Sequence, residues 1–362
     1  MSGDGNIRKK LLPPQAKGHL SSARVQSAWY VACRSKDVTK KPLAVTVLGI
    51  PMVLFRDQSN QCKSVLDRCP HRNVPLSLGK VVGGELECAY HGWRFDGCGQ
   101  CTRIPALKGE PKSAGRNVQS WEVKERQGLV WVYTDSSCSP ESEPYEMPHV
   151  GELGYHTVID VVDARGTLHA IAENALDVPH TAFLHGGLFR QDRERKAIDV
   201  VVRRSQDRVE AQYIGESAPK GLIGRILAPG GGEVVHFDRF VMPCIAQVEY
   251  KLGARSHMVV SSALTPIDDY NTRLFAVASY RLPLPSWLVS LFLKPIARYI
   301  FKQDARMLTL QTDNIIKHGG EQFVSTELDV LGPHILKLLR SAERGSTAAH
   351  DEDFEKRLQM LV

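Results

Sequence analysis

The sequence predicts an α+β chain of two domains, an all-β domain followed by one that combines an antiparallel sheet with helices. Three observations carry this. Between Ala28 and about Thr134, short runs such as AWYVAC, LAVTVLG, PMVLF and GLVWVYT are punctuated by Gly, Pro, Asn and Asp, the pattern of short strands and turns. After Gly151, six longer runs alternate apolar and polar residues, from AIDVVVRR to RLFAVASYRL, as strands with one buried face do. Between the two lies Asp135–Pro148 (DSSCSPESEPYEMP), whose Ser, Pro and Glu suit a boundary loop.

The expected organisation is a flexible arm over 1–25, the β domain over 26–148 and the second domain over 149–362. Apolar positions around Ile171, Leu176 and Phe183 recur at helical spacing, and the tail from Trp287 to Leu361 reads mainly as helix. A length of 362 residues is too great for one minimal electron-transfer module and suits two domains.

Composition excludes several classes. With 43% hydrophobic and 24% charged residues the chain is neither disordered nor fibrous. The net charge of +6 favours an acidic partner but falls short of a clustered nucleic-acid footprint. Eight cysteines in so long a chain do not make a disulfide framework. The first twenty residues are polar and basic, without the apolar core of a signal peptide. The apolar stretch Leu282–Phe301 is broken by Pro283, Pro285, Lys294, Pro295 and Arg298, so no transmembrane segment is expected. It reads as a buried or half-buried helix, with a membrane-surface or substrate-entry role as the alternative. A reducing, cytoplasmic location is expected.

The first constellation is Cys69-Pro70-His71 followed by Cys88-Ala89-Tyr90-His91. Two Cys–His pairs on two loops can supply four ligands to one metal centre, and the residue types alone permit a zinc site. The flanks add more. CPHRNVPLSLGKVVGGELECAYHGWRFDGCGQCTRIP resembles the Rieske domain of Rieske non-heme iron oxygenases in its C-P-H-R, P-L-S-L-G, C-x-Y-H-G-W-x-F and D-G-x-G-x-C-x-x-I-P parts. The resemblance implies a [2Fe–2S] cluster with Cys69 and Cys88 on one iron and His71 and His91 on the other. Neutral imidazoles in place of two thiolates ease electron uptake, lifting the potential to roughly −150 to +300 mV from about −400 mV for all-Cys plant-type clusters. Cys98 and Cys101 form a further C-x-x-C, read as a turn and part of the tail motif.

The second constellation, Glu173-Asn174 to His185, contains D-x-x-H-x-x-x-x-H. Non-heme iron oxygenases hold Fe(II) with two His and one carboxylate on one face, leaving positions open for O2. Histidines five apart do not share a face of a regular helix, so they converge only if Pro179 and the turns after it distort the backbone. Placed after the Rieske-like segment, E-N-x-x-D-x-x-H-x-x-x-x-H resembles the catalytic motif of the same family, closest to its vanillate demethylase-like, single-subunit type. The resemblance implies His180 and His185 as iron ligands. It makes Asp177 a bridge between His180 and the cluster ligand His91 of a neighbouring subunit, and puts Asn174 near the iron. Gln303-Asp304 to Gln311 resembles the family's C-terminal ligand helix, implying Asp304 as the carboxylate ligand, with Asp313 the runner-up. The other histidines lack ligand spacing and read as structural or surface residues, and Gly230–Gly232 as a surface loop.

By resemblance the second domain is helix-grip-like (START-like), the subunits form a homotrimer, and electrons come from NAD(P)H through a separate ferredoxin or flavin reductase. The implied activity is monooxygenation, by hydroxylation or O/N-demethylation, of a small, fairly hydrophobic organic substrate. Ring cis-dihydroxylation and desaturation are alternatives within the family. An electron-transfer Rieske protein without oxygenase activity and a zinc-stabilised binding module are alternatives of other classes.

Overall fold

A computed structural model describes residues 21–185, 196–216, 234–253, 255–283, 285–345 and 354–361. The chain divides into two compact units, and the Gly230–Gly232 loop lies outside the described residues.

The first unit, Gln26–Glu146, is all β. Its strands are β1 (Trp29–Arg34), β2 (Leu43–Val47), β3 (Ile50–Arg56), β4 (Cys62–Leu66), β5 (Lys80–Val82), β6 (Glu85–Glu87), β7 (Arg94–Phe95), β8 (Cys101–Arg103), β9 (Ser120–Trp121), β10 (Val123–Arg126) and β11 (Leu129–Tyr133). They form three small sheets in the orders β1-β11-β10, β2-β3-β4-β9 and β5-β6-β7-β8. Val53, Phe55, Val65, Leu76, Leu86 and Phe95 pack into one core with Cys69, Cys88 and Cys101. The cysteines are thus anchored in packed hydrocarbon, where a shift of a fraction of an ångström costs contacts on every side.

The second unit, Met147–Val362, carries one antiparallel sheet. In chain order it contains β12 (His156–Arg165), α1 (Leu168–Leu176), α2 (Thr181–Leu184), β13 (Ala197–Arg204), β14 (Arg208–Ile214), β15 (Val234–Val241), β16 (Ile245–Leu252), β17 (Ser256–Pro266), β18 (Asn271–Arg281), α3 (Ser286–Lys317), α4 (Gly332–Glu343) and β19 (Phe354–Leu361). The sheet order is β12-β18-β17-β16-β15-β14-β13-β19. Five successive hairpins therefore build the middle, as the alternating runs predict, and α1 packs across β15–β18.

Three features differ from the sequence reading. Phe354–Leu361 was expected within a mainly helical tail, yet it pairs with β13 as an edge strand. Glu, Lys, Arg, Leu, Gln and Met are good helix formers, but Leu358 and Met360 alternate with exposed Arg357 and Gln359, and pairing with β13 outweighs propensity. The strand β12 carries no mark in the sequence reading. The end of the expected arm is also packed: Ser21 is buried and donates to Glu321 Oε1 at 2.8 Å, and Arg24 pairs with Asp269 at 2.7 Å.

Candidate metal centres

In the first unit, two loops project from the core with one design. Cys69 N–H donates to Val74 O at 2.9 Å and Asn73 N–H to Cys69 O at 2.9 Å; Cys88 N–H donates to Trp93 O at 2.8 Å and Gly92 N–H to Cys88 O at 3.1 Å. The fifth residue of each loop has positive φ, Asn73 at 60° and Gly92 at 68°, a conformation open to Gly and tolerated by Asn. Each loop therefore turns back on its cysteine and delivers its histidine to the same place. The His71 and His91 ring centroids lie 4.5 Å apart, and His71 stacks on Trp93 at 4.9 Å.

The two halves of this site differ in exposure. Cys69 and Cys88 are buried, whereas His71 is half-buried and His91 exposed. Burial pushes the Cys69 thiol up to about 11, with Cys88 beside it adding to the effect. His71 Nδ1 is buried without a hydrogen-bond partner. A buried Cys69 thiol costly to ionise, a second buried cysteine beside it and a shielded ring nitrogen with nothing to bind fit a metal cluster, which would take two thiolates and a lone pair there. Cys101 is buried in the adjacent core and Cys98 is exposed.

In the second unit the chain bends as the sequence requires. Thr167 caps α1, its hydroxyl accepting from Ala170 N–H at 3.0 Å. The helix ends at Leu176, and Asp177 is extended (φ −90°, ψ 111°). A single turn, α2, then separates His180 from His185, which flank it at its two ends. Their rings come to 5.2 Å, because neither sits within a regular helix. Asp304 arrives from α3: its Oδ1 is 3.0 Å from His185 Nε2 and 3.7 Å from His180 Nε2. Ligand atoms of His180, His185 and Asp304 all lie within 4.8 Å of one another.

The other ring edges are held as well. Asp177 Oδ2 lies 3.1 Å from His180 Nδ1, and Gln303 Oε1 lies 2.9 Å from His185 Nδ1. Both oxygens only accept, so both Nδ1 atoms carry the proton and both Nε2 lone pairs are free for a cation. Asp304 Oδ1 is buried and accepts no well-directed hydrogen bond, as expected of an oxygen aimed at a metal position. The set of two imidazoles and one carboxylate fits divalent iron. Asp304 and Gln303 raise the pKa of His185 against the lowering effect of burial; a cation would replace the proton they attract.

The remaining candidates separate clearly. Asn174 lies one turn before Asp177, whose N–H its carbonyl accepts at 3.5 Å. Asp313 is half-exposed and pairs with Arg165 at 2.8 Å, away from the three-residue set. Gln303, adjacent to Asp304, had been given no role of its own, and only the fold shows that it holds a ring. Glu173, on α1, has its pKa pushed up to about 7, by burial first and then by Asp329, Asp177 and Glu321.

Residues 28–122 match the Rieske [2Fe-2S] domain. Residues 165–345, half of the chain, match the vanillate O-demethylase oxygenase C-terminal domain. The chain belongs to the Rieske non-heme iron oxygenases. As a member of that family it carries a [2Fe–2S] cluster in its first unit and a non-heme iron site in its second. It is 30% identical to the chloroplastic protein TIC 55 of Arabidopsis thaliana over 331 residues, 87% of this chain and 58% of that protein. It is 35% identical to the oxygenase component of dicamba O-demethylase from Stenotrophomonas maltophilia over 164 residues, 44% of this chain and 48% of that one. The matches thus span about half the length of these relatives. In fold it resembles a crystal structure of dicamba monooxygenase bound to dicamba, with a TM-score of 0.76 at 23% identity, covering 90% of this chain and 100% of that one. Among the described residues no helix of this Rieske oxygenase is long and apolar enough to cross a membrane.

Proposed function

We propose that this chain is the terminal oxygenase component of a multi-component monooxygenase, inserting one oxygen atom of O2 into a C–H bond of a small, fairly hydrophobic organic molecule. Hydroxylation next to oxygen or nitrogen collapses to O- or N-demethylation, and the relative named for dicamba O-demethylation favours that outcome over ring dihydroxylation or desaturation. The observation that carries the reading is the convergence of His180, His185 and Asp304, with Asp177 and Gln303 holding the far ring edges. A purely electron-transferring Rieske protein needs no such set.

In this reading Cys69, Cys88, His71 and His91 hold the cluster, and His180, His185 and Asp304 hold Fe(II). The iron, when bound, supplies the open positions at which O2 is activated. The residues of the chain do the rest. Asp177 and Gln303 fix the imidazole tautomers and orientations, and Asn174 stands near the iron. The exposed His91 lets an electron leave the cluster across a surface. A head-to-tail homotrimer would place His91 of a neighbouring subunit against Asp177. NAD(P)H serves indirectly, through a ferredoxin or flavin reductase. None of the eight cysteines is in a disulfide, which suits a reducing compartment such as the cytoplasm.

The test is reconstitution with a surrogate reductase, with oxygen consumption and mass-resolved products followed across aromatic, terpenoid, steroid-like and N- or O-methylated compounds. Red-brown protein that incorporates one labelled oxygen atom into product supports the reading. A colourless zinc protein, or cluster reduction without oxygen uptake on any compound, overturns it.

A further inference from the structure

Among the described residues of the first unit, Leu78, Tyr90 and Leu107 are the large apolar side chains left in water, and Leu78 is the most exposed at 69%. It is also rigidly displayed. Leu76, two residues earlier, is fully buried in the core that anchors Cys69. Ser77 donates twice to Asp67, from its N–H to Oδ1 at 2.7 Å and from its hydroxyl to Oδ2 at 2.6 Å. Gly79 N–H closes the turn on Leu76 O at 2.9 Å. A Cβ at Gly79 would stand 2.0 Å from Glu87 O, so β6 backs the turn closely. With both neighbours fixed, Leu78 does not reach water by fraying; the fold holds it there, forgoing the burial a leucine favours.

The same stretch of chain is basic on its outside. Arg68, Arg72 and Lys80 are all exposed, and Arg68 and Arg72 pair with no carboxylate among the described residues. The one carboxylate of the stretch, Asp67, is turned inward onto Ser77. Glu87 behind it is held by Arg94 at 2.7 Å and by Lys80 at 3.2 Å. An apolar centre with a charged rim is the form of a small transient interface, and electron-transfer encounters lie at the low end of interface size. The cluster position fixes where a donor can approach. Cys69 and Cys88 are 2% and 3% exposed, so the histidine side is the one that faces outward. His71 lies between Arg68 and Arg72 in the first loop, whereas the reading above gives the His91 edge to a neighbouring subunit.

We propose that Leu78, with Arg68 and Arg72, forms the docking surface for an acidic one-electron carrier protein, which delivers its electron to the cluster along the His71 loop. This rests on the reading above, in which a separate protein supplies the electrons. The carrier is oxidised by one electron and the cluster is reduced by one, and no bond forms or breaks. Carboxylates on the carrier meet the two guanidiniums, whose planar forks suit bidentate pairing. Their opposite charge steers the encounter before contact, an attraction that salt screens. Leu78 then fills an apolar depression on the carrier and excludes water from the centre of the contact.

The test follows cluster reduction by stopped-flow absorbance in the full, iron-loaded protein, with a reduced plant-type [2Fe–2S] ferredoxin of acidic surface as the probe donor. The second-order rate should fall about tenfold or more between low and high salt. Arg68→Glu with Arg72→Glu should lower the low-salt rate about tenfold or more and flatten the salt dependence. Reduction by photoreduced deazariboflavin, a neutral molecule that needs no docking, should keep its wild-type rate, and redox titration should show the cluster potential little changed. Leu78→Ala should lower the ferredoxin rate about threefold or more and leave the salt dependence intact, an arm that decides the matter should the double variant fail to fold. A salt-independent wild-type rate, or variants with the wild-type ferredoxin rate, overturns the docking surface. So does a changed oligomeric state in either variant, read by light scattering, which assigns the face to a contact between copies. Wild type without a reducible cluster overturns instead the reading on which the surface rests.

Discussion

Asp177 holds His180 twice: one carboxylate oxygen, Oδ2, accepts the backbone N–H of His180 at 3.0 Å and lies 3.1 Å from its ring Nδ1. The same atom thus fixes where the chain turns and which ring nitrogen keeps its proton. That is more than a structural cap requires, and it leaves Nε2 facing Asp304.

Asp177→Asn keeps the shape of the side chain and removes its charge. Cluster and mononuclear iron contents are expected to stay near wild type while reductase-driven product formation falls about 10–100-fold or more, the usual cost of losing a carboxylate behind a metal-bound histidine. Near-normal turnover would remove Asp177 from the electron route.

Asp304→Ala should lose the mononuclear iron and leave the cluster's visible spectrum unchanged. Gln303→Leu, which frees His185 Nδ1, should weaken iron affinity by about 10–100-fold without touching the cluster. Metal analysis before and after mild chelation separates the two. Unchanged iron in Asp304→Ala would send the search for the carboxylate elsewhere.

His71→Cys replaces a neutral ligand by an anionic one. The cluster potential should fall by roughly 250 mV or more, toward the all-Cys range, as read by redox titration. A potential that does not move would exclude His71 as a ligand.

Glu173 offers a pH test. Its pKa is raised in the fold from 4.5 to about 7, so the folded state favours the protonated form. The stability this gives is fully present below about 4.5 and is lost as pH rises through about 7. Glu173→Gln cannot ionise. Its melting temperature relative to wild type should therefore climb between about pH 5 and pH 8, with a gain of about 3 kcal/mol at most. A difference that stays flat over that range would show that Glu173 ionises freely.

The sequence by itself determined the strand-rich first unit, the hairpin sheet of the second, and the residues most able to bind metal. Those signals are local. Period-two alternation marks a half-buried strand wherever it occurs, and Cys69-x-His71 and Cys88-x-x-His91 place two candidate ligands on each of two loops. Tertiary structure decided what depends on distant partners. It turned Phe354–Leu361 from expected helix into strand, because β13 offered an open edge. It set Asp304 against His185 and left Asp313 with Arg165, a choice between two aspartates of one helix made by the face each presents. It gave Gln303 a ring to hold. No spacing announces such contacts, because burial and hydrogen bonding are properties of the neighbours that folding brings, and those neighbours lie far away along the chain.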